Sequence, residues 1–280
     1  MNNPATISVV MSTAHESAHL VRQAVESILQ QTLLPHEFII VVDDSSNSDV
    51  LEYLQKVTKT TALVTVSYHT EQQGLAVCRN EGVQKASGEY IALMDADDIA
   101  LPYRLKIQLD YLQSRALDGV FAQVQHIDEA GEGVGYFHPT STNPKRDIFL
   151  RHIFVHPTAF LKKSVFATEQ YDPAFFRAQD IDLWIRLLQA GKNFEIVPEV
   201  LLQYRVHRVS PVADRLKRQA GYAQYGFKIV QKHFVSNVGN PFFWYFTLKW
   251  SFYNLLLNHT PKRVLVGLVH MKDVMRKHKE

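Results

Sequence analysis

Through the first hundred residues, short apolar runs alternate with stretches whose apolar positions recur three and four apart. Residues 7–11 read as an opening strand rich in β-branched side chains. Leu20, Val21, Ala24, Val25, Ile28 and Leu29 then carry the spacing of a helix with one apolar face. Residues 38–42 are an unbroken apolar run, as expected of a parallel strand buried on both faces. Val50, Leu51, Leu54 and Val57 mark a second helix. A strand over 62–68, a turn at Gly74, a helix over 76–86 and a strand over 90–93 complete the series. This β-α-β-α-β-α-β order predicts an α/β domain with a doubly wound, mostly parallel sheet and right-handed crossovers.

Beyond Asp98 the regular alternation stops. The patterns predict helices over 101–117, 144–152 and 179–190, and strands over 119–126, 156–161 and 194–205. Residues 129–135 read as a hairpin-like loop. The expected organisation is a catalytic domain over 1–212, with a nucleotide-binding half at 1–98 and an acceptor half at 99–212. A helical extension follows at 213–280.

Composition and charge narrow this picture. Hydrophobic content of 46% and charged content of 21% are ordinary for a globular protein. A net charge of +2 gives no reason to invoke nucleic acid. One cysteine, Cys78, excludes an intrachain disulfide framework and a Cys-based zinc site. The start runs straight into a strand without a signal-peptide pattern, so a cytoplasmic protein is expected. Charge is nevertheless uneven: residues 231–280 hold eight Lys/Arg against Asp273 and Glu280.

The candidate chemistry sits where apolar strands end in acids. Asp95, Asp97 and Asp98 follow the run 90–94, at the rim where open α/β sheets bind ligands. Hard oxygen ligands there suit Mg²⁺ or Mn²⁺, and such an ion neutralises a diphosphate. Equally, Asp98 by itself serves as a cap for the helix beginning near Pro102. Asp43 and Asp44 end the second strand, and a carboxylate there accepts a hydrogen bond from a nucleobase imide or caps a turn. Gly74 opens a helix carrying Arg79, whose planar guanidinium either meets a nucleotide or is solvated.

Five stretches in order carry a resemblance: 41–46 (Val-Val-Asp-Asp-Ser-Ser), 74–80 with Arg79 and Asn80, 87–98 ending Met-Asp-Ala-Asp-Asp, 179–187 beginning Gln-Asp-Ile-Asp-Leu-Trp, and Tyr204-Arg205-Val206-His207 with Ser210. Over residues 5–212 the chain resembles the family 2 glycosyltransferases of the GT-A fold. The resemblance implies an inverting enzyme with a nucleoside diphosphate sugar donor, UDP-linked for preference. It implies nucleotide binding by Thr13, Asp43, Asp44, Gly74, Arg79 and Asp95, and Mn²⁺ or Mg²⁺ held by Asp97 and His207. It also implies a general base at Asp180, phosphate contacts from Arg205 or Arg208, and a structural or acceptor-facing role for Asp182. Two departures stand out. Gln179 replaces the usual Glu before Asp180, and Ser12-Thr13-Ala14-His15-Glu16 lacks the aromatic common beside the base. His156-Pro157-Thr158 also resembles a recurrent family stretch near the acceptor cleft, without a side-chain contact to substrate being expected.

The expected partners are the nucleotide-sugar donor and a hydroxyl of a glycan or lipid-linked saccharide. The aromatic segment 240–258 leaves two readings open. One is an amphipathic helix lying at the inner face of the membrane, with basic residues 262–279 on anionic lipid. The other is a helix packed on the catalytic domain or at a homodimer contact. A catalytically silent relative that binds the donor or a membrane is the alternative to an enzyme. A nucleotidyltransferase or dehydrogenase lacks its Gly-rich loop here.

Overall fold

A computed structural model describes residues 5–207 and 212–259. The chain divides into two compact units, Met1–Val206 and His207–Glu280. Arg208 and Ser210 lie outside the described residues, as do the basic positions 262–279.

In the first unit, β1 (Ile7–Thr13), α1 (Ala18–Leu29), β2 (Glu37–Val42), α2 (Ser48–Thr60), β3 (Val64–Tyr68), α3 (Leu75–Lys85) and β4 (Tyr90–Asp95) alternate strictly. β1 pairs in parallel with β2 and β4, and β2 with β3. The order β3-β2-β1-β4 sets the ends of β2 and β4 on either side of β1. Both faces are covered, and Val9, Phe38, Ile40, Val41, Ile91 and Ala92 are fully buried. Local chemistry fixes the helix starts: Ser17 accepts the Leu20 N–H at 3.5 Å, and Asn47 accepts that of Val50 at 3.3 Å.

The remainder of the unit is mixed. It comprises β5 (Ile99–Ala100), α4 (Arg104–Ser114), β6 (Gly119–Ile127), β7 (Gly133–Phe137), α5 (Pro144–Leu150), β8 (Phe160–Lys162), α6 (Gln179–Gln189) and β9 (Phe194–Arg205). β8 joins the sheet antiparallel to β4 and β6, while β6 and β9 run parallel. Residues 156–158 form a 3-10 turn rather than the start of a strand; Pro157 offers no N–H to a ladder. Part of the expected loop 129–135 is the start of β7, paired antiparallel with β6. The core of this half is aromatic: Phe121 stacks on Phe154 at 4.0 Å between centroids and meets Trp184 edge-on at 5.0 Å.

The second unit contains α7 (Val212–Asn237) and α8 (Pro241–His259), which pack on each other. Gly226 permits the approach, since a Cβ there would lie 2.2 Å from the Trp250 ring.

Candidate active site

The site is assembled from the carboxyl ends of β1, β2 and β4 and the start of α6. At β2, Asp43 is buried, and its carboxylate accepts the Gln73 N–H at 2.7 Å and the Gly74 N–H at 2.9 Å. These bonds hold the loop that starts α3, where Gly74 adopts φ +94°. A side chain at that angle would be strained, so glycine is required. Asp43 was expected to meet a nucleobase. In this structure its oxygens accept backbone N–H groups of the loop before α3. Asp44 is more open; its carboxylate accepts the Ser46 N–H at 2.9 Å, which holds it below the usual carboxylate range. Thr13, buried at the end of β1, donates its hydroxyl to Glu16 at 2.8 Å.

The acids of β4 are treated differently. Arg79 reaches from the second turn of α3 to Asp95, with 2.8 Å between Nη2 and Oδ1. Burial works against this guanidinium's charge, but Asp95, Tyr171 and Asp180 together outweigh it and raise its pKa. Arg79 lies 5.7 Å from the centroid of the Tyr171 ring. The backbone of Tyr171 is clamped by Asn80, which donates Nδ2 to its carbonyl at 2.8 Å and accepts its N–H at 2.9 Å. One turn of α3 thus carries the residue that binds Asp95 and the residue that fixes the segment before α6.

Asp98 is fully enclosed. Its Oδ1 accepts the Arg205 N–H at 2.8 Å, while Oδ2 has no hydrogen-bond partner. Burial, followed by the charges of Asp97 and Asp95, pushes its carboxyl well above the ordinary value. Burial also raises Asp95, with Arg79 opposing and Asp97 adding to the rise. Arg104, buried beneath, donates to the Leu93 carbonyl at 2.7 Å and to Gln108 at 3.0 Å; burial lowers its pKa to about 10.

Arg205, for which a phosphate contact was expected, meets the protein's own carbonyls. It is buried and donates to the carbonyls of Asp97, Asp128 and Glu129 at 2.8, 2.7 and 3.1 Å, and to Gln23 at 2.9 Å. All three of its nitrogens are thereby engaged in holding the Asp97 loop to the β6–β7 turn. Asp182, read as structural or acceptor-facing, is fully buried and pairs with Arg186 at 2.9 Å. Arg186 also pairs with Glu169 and donates to the Gln170 carbonyl at 2.6 Å, tying α6 to the preceding segment.

Asp180 occupies the first turn of α6, half-buried, beyond Ala178 in the left-handed region at φ 57°. Its charge acts on Arg79 and Tyr171. Asp95 pairs with Arg79 directly, and the charge of Asp180 acts on the same guanidinium. His207 is exposed, two residues past the end of β9. Tyr171, its hydroxyl buried without a partner, was not singled out in the sequence, where it stands among residues of no recognisable pattern. Only its contact with Asn80 and Arg79 reveals it.

A divalent cation fits the donor set at β4. Asp95 and Asp97 are half-buried hard carboxylates, and the Asp98 oxygen beside them is an orphaned acceptor. A second group, Asp43, His69 and Cys78, brings three ligand atoms within 4.8 Å of one another. It fits such a cation poorly. Asp43 is held by backbone N–H groups, His69 Nε2 lies 2.6 Å from Glu81, and burial with Asp43 pushes the soft thiol's pKa up.

With this geometry established, comparison with known proteins is direct. The family described as glycosyl transferase family 2 matches residues 8–168. An uncharacterised glycosyltransferase of Methanocaldococcus jannaschii is 34% identical over 95% of this chain and 93% of its own. The O-antigen biosynthesis glycosyltransferase WbnJ of Escherichia coli is 31% identical over 73% of this chain and 81% of its own. Among solved structures, S. aureus TarS 1-349 superimposes with a TM-score of 0.62 at 15% identity, covering 80% of this chain and 64% of TarS 1-349. The same TarS fragment in complex with UDP gives 0.59, covering 85% of this chain and 74% of its own. The sheet, the acidic strand ends and these matches agree: the chain has a GT-A-type fold and belongs to glycosyl transferase family 2, as a glycosyltransferase.

Proposed function

We propose that the protein is an inverting, metal-dependent glycosyltransferase. It moves a sugar from a UDP-linked donor to a hydroxyl of a glycan or lipid-linked saccharide. The observation that carries this reading is the convergence of Asp95 and Asp180 on Arg79. It supports a reading in which Asp95 serves the pyrophosphate side and Asp180 serves as base. The names of two relatives, O-antigen biosynthesis for WbnJ and putative teichuronic acid biosynthesis for TuaG of Bacillus subtilis, support a role in making surface polysaccharides. The UDP complex of TarS supports the choice of nucleotide.

In this reading Asp44, at the open end of β2, accepts from the uracil imide, while Asp43 shapes the loop that leads to Arg79. Asp97, with His207, holds Mn²⁺ or Mg²⁺, and Asp95 orients the ribose or diphosphate. The cation supplies positive charge against the leaving nucleoside diphosphate. Asp180 takes the proton of the acceptor hydroxyl as its oxygen attacks the anomeric carbon from the face opposite the leaving group. Gln179 is buried beside it and uncharged, so a single carboxylate at this position serves as base.

The experiment is a panel of nucleoside diphosphate sugars with Mn²⁺, read as thermal stabilisation and as slow release of nucleoside diphosphate. Saturable stabilisation by one UDP-sugar, with hydrolysis lost in Asp97→Ala, is expected. Absence of binding to every donor sinks the proposal. Binding without turnover on any acceptor would instead favour a silent relative.

A further inference from the structure

The helical unit presents an apolar face that nothing in its own packing uses. On α8, Phe243, Phe246 and Trp250 are turned to the buried side and pack within the unit. Tyr245, Leu248, Phe252 and Leu255 fall on the opposite side, at spacings of three and four, while Trp244 at its margin meets Phe234 edge-on and donates to the Val238 carbonyl at 2.9 Å. Leu248 is 69% exposed, and Phe252 and Leu255 are each 61% exposed. Helix α8 contains no acid and one cation, Lys249. A helix apolar all round is normally covered all round, and contiguous exposed apolar surface of this kind marks a docking site. Among the described residues, no helix is long and apolar enough to cross a membrane.

Charge selects the occupant. From residue 231 to 280 the sequence carries eight Lys/Arg against two acids, while the rest of the chain is net acidic. Two copies would each carry the same net positive stretch of sequence, and like charges oppose their association. An anionic surface removes that repulsion. Tyr245, half exposed, combines an apolar ring with a polar tip, the chemistry that settles between hydrocarbon and water. Lys249 can lay its methylene stem along the apolar face and keep its ammonium outside.

We propose that α8 lies flat on an anionic lipid bilayer, burying Leu248, Phe252 and Leu255 in the interfacial region. Donor chemistry in the first unit is a separate matter, so the two readings fail independently.

The test is co-sedimentation of the full chain with vesicles of phosphatidylcholine alone, or mixed with phosphatidylglycerol. Binding to the anionic vesicles at least about tenfold tighter, weakening as salt is added, is expected. Tryptophan emission should shift to the blue on binding. The paired variant Leu248→Glu with Phe252→Glu should lose about tenfold or more of this binding, with melting temperature and donor hydrolysis unchanged. Should that variant fail to fold, the wild-type salt and lipid dependence decides alone. No sedimentation with anionic vesicles overturns the proposal, as does binding that the paired variant retains. A solution dimer dissolved by the same substitutions assigns the face to a second copy and also overturns it. Vesicle binding lost while donor turnover persists would leave the glycosyltransferase reading standing.

Discussion

Two strands of the same sheet end in acids, and the protein uses them in opposite ways. At β2, Asp43 is compensated by the backbone N–H groups of Gln73 and Gly74, and Asp44 is held below the usual carboxylate range by the Ser46 N–H. At β4, Asp95, Asp97 and Asp98 crowd one another, and burial raises the pKa of Asp95 and Asp98. Arg79 pairs with one of these acids, and Asp98 keeps an orphaned oxygen. The first strand end is electrostatically closed and builds a loop. The second retains surplus negative charge in a confined place, which is the condition for taking up a cation. An acidic run at a strand end is therefore an ambiguous sign until its donors are known.

The sharpest way to break this contrast is to remove acids from the second end. Asp97→Ala should lower transferase turnover by about 10²–10³-fold through lost charge stabilisation, with the fold intact by circular dichroism. Asp180→Asn should lower it by about 10²–10⁴-fold and leave donor affinity nearly unchanged, separating base from binder in steady-state kinetics. Either variant retaining wild-type turnover would empty the second strand end of its proposed role.

Substitutions at the supports should act on stability first. Arg205→Ala should cost about 3–5 kcal/mol in urea unfolding, because three carbonyls and Gln23 lose their donor beside the enclosed Asp98. Asp43→Ala should cost about 1–3 kcal/mol by freeing the Gln73 and Gly74 N–H groups. Asp44→Ala should weaken UDP binding by about tenfold without moving the melting temperature. If Asp43→Ala were the one to lose affinity at unchanged stability, the two neighbours would exchange roles.

The smallest effect is a pH slope of defined sign. Asp95 and Asp98 have raised folded-state pKa values, so the folded chain binds more protons than the unfolded one. Without a divalent cation, their contribution is most favourable below about pH 4 and declines as pH rises through their raised values. Asp44, being lowered, acts oppositely, and its contribution fades as pH falls. Melting temperature followed upward from about pH 4 in EDTA should show the decline, and Asp98→Asn should reduce it. An unchanged slope in Asp98→Asn would mean that the crowded acids are compensated in solution after all.

How much of this was legible beforehand differs by region. The parallel half was legible because each strand and helix there is written in local periodicity. Unbroken runs such as 38–42 are buried on both faces, and the apolar spacing of 20–29 and 50–57 marks the helices between them. The acids that end β2 and β4 followed from where those runs stop. Past Asp98 the elements were visible but their pairing was not. β8, three residues long, is held between β4 and β6, and β7 is too short and glycine-rich to announce itself. The partners of Arg205 and Asp182 were illegible for a related reason. A charged side chain looks functional in a sequence, yet each is enclosed by partners that only the fold supplies.

The sequence by itself determined the alternating frame, its acidic strand ends and the apolar character of α8, because all three depend on neighbours within a few residues. Tertiary structure alone decided which acids were answered by backbone donors and which were left in excess. It also brought Asp180 and Tyr171 to Arg79 from roughly a hundred positions away along the chain. Electrostatic balance is set by distance in space and by burial, and neither can be read from order along the chain.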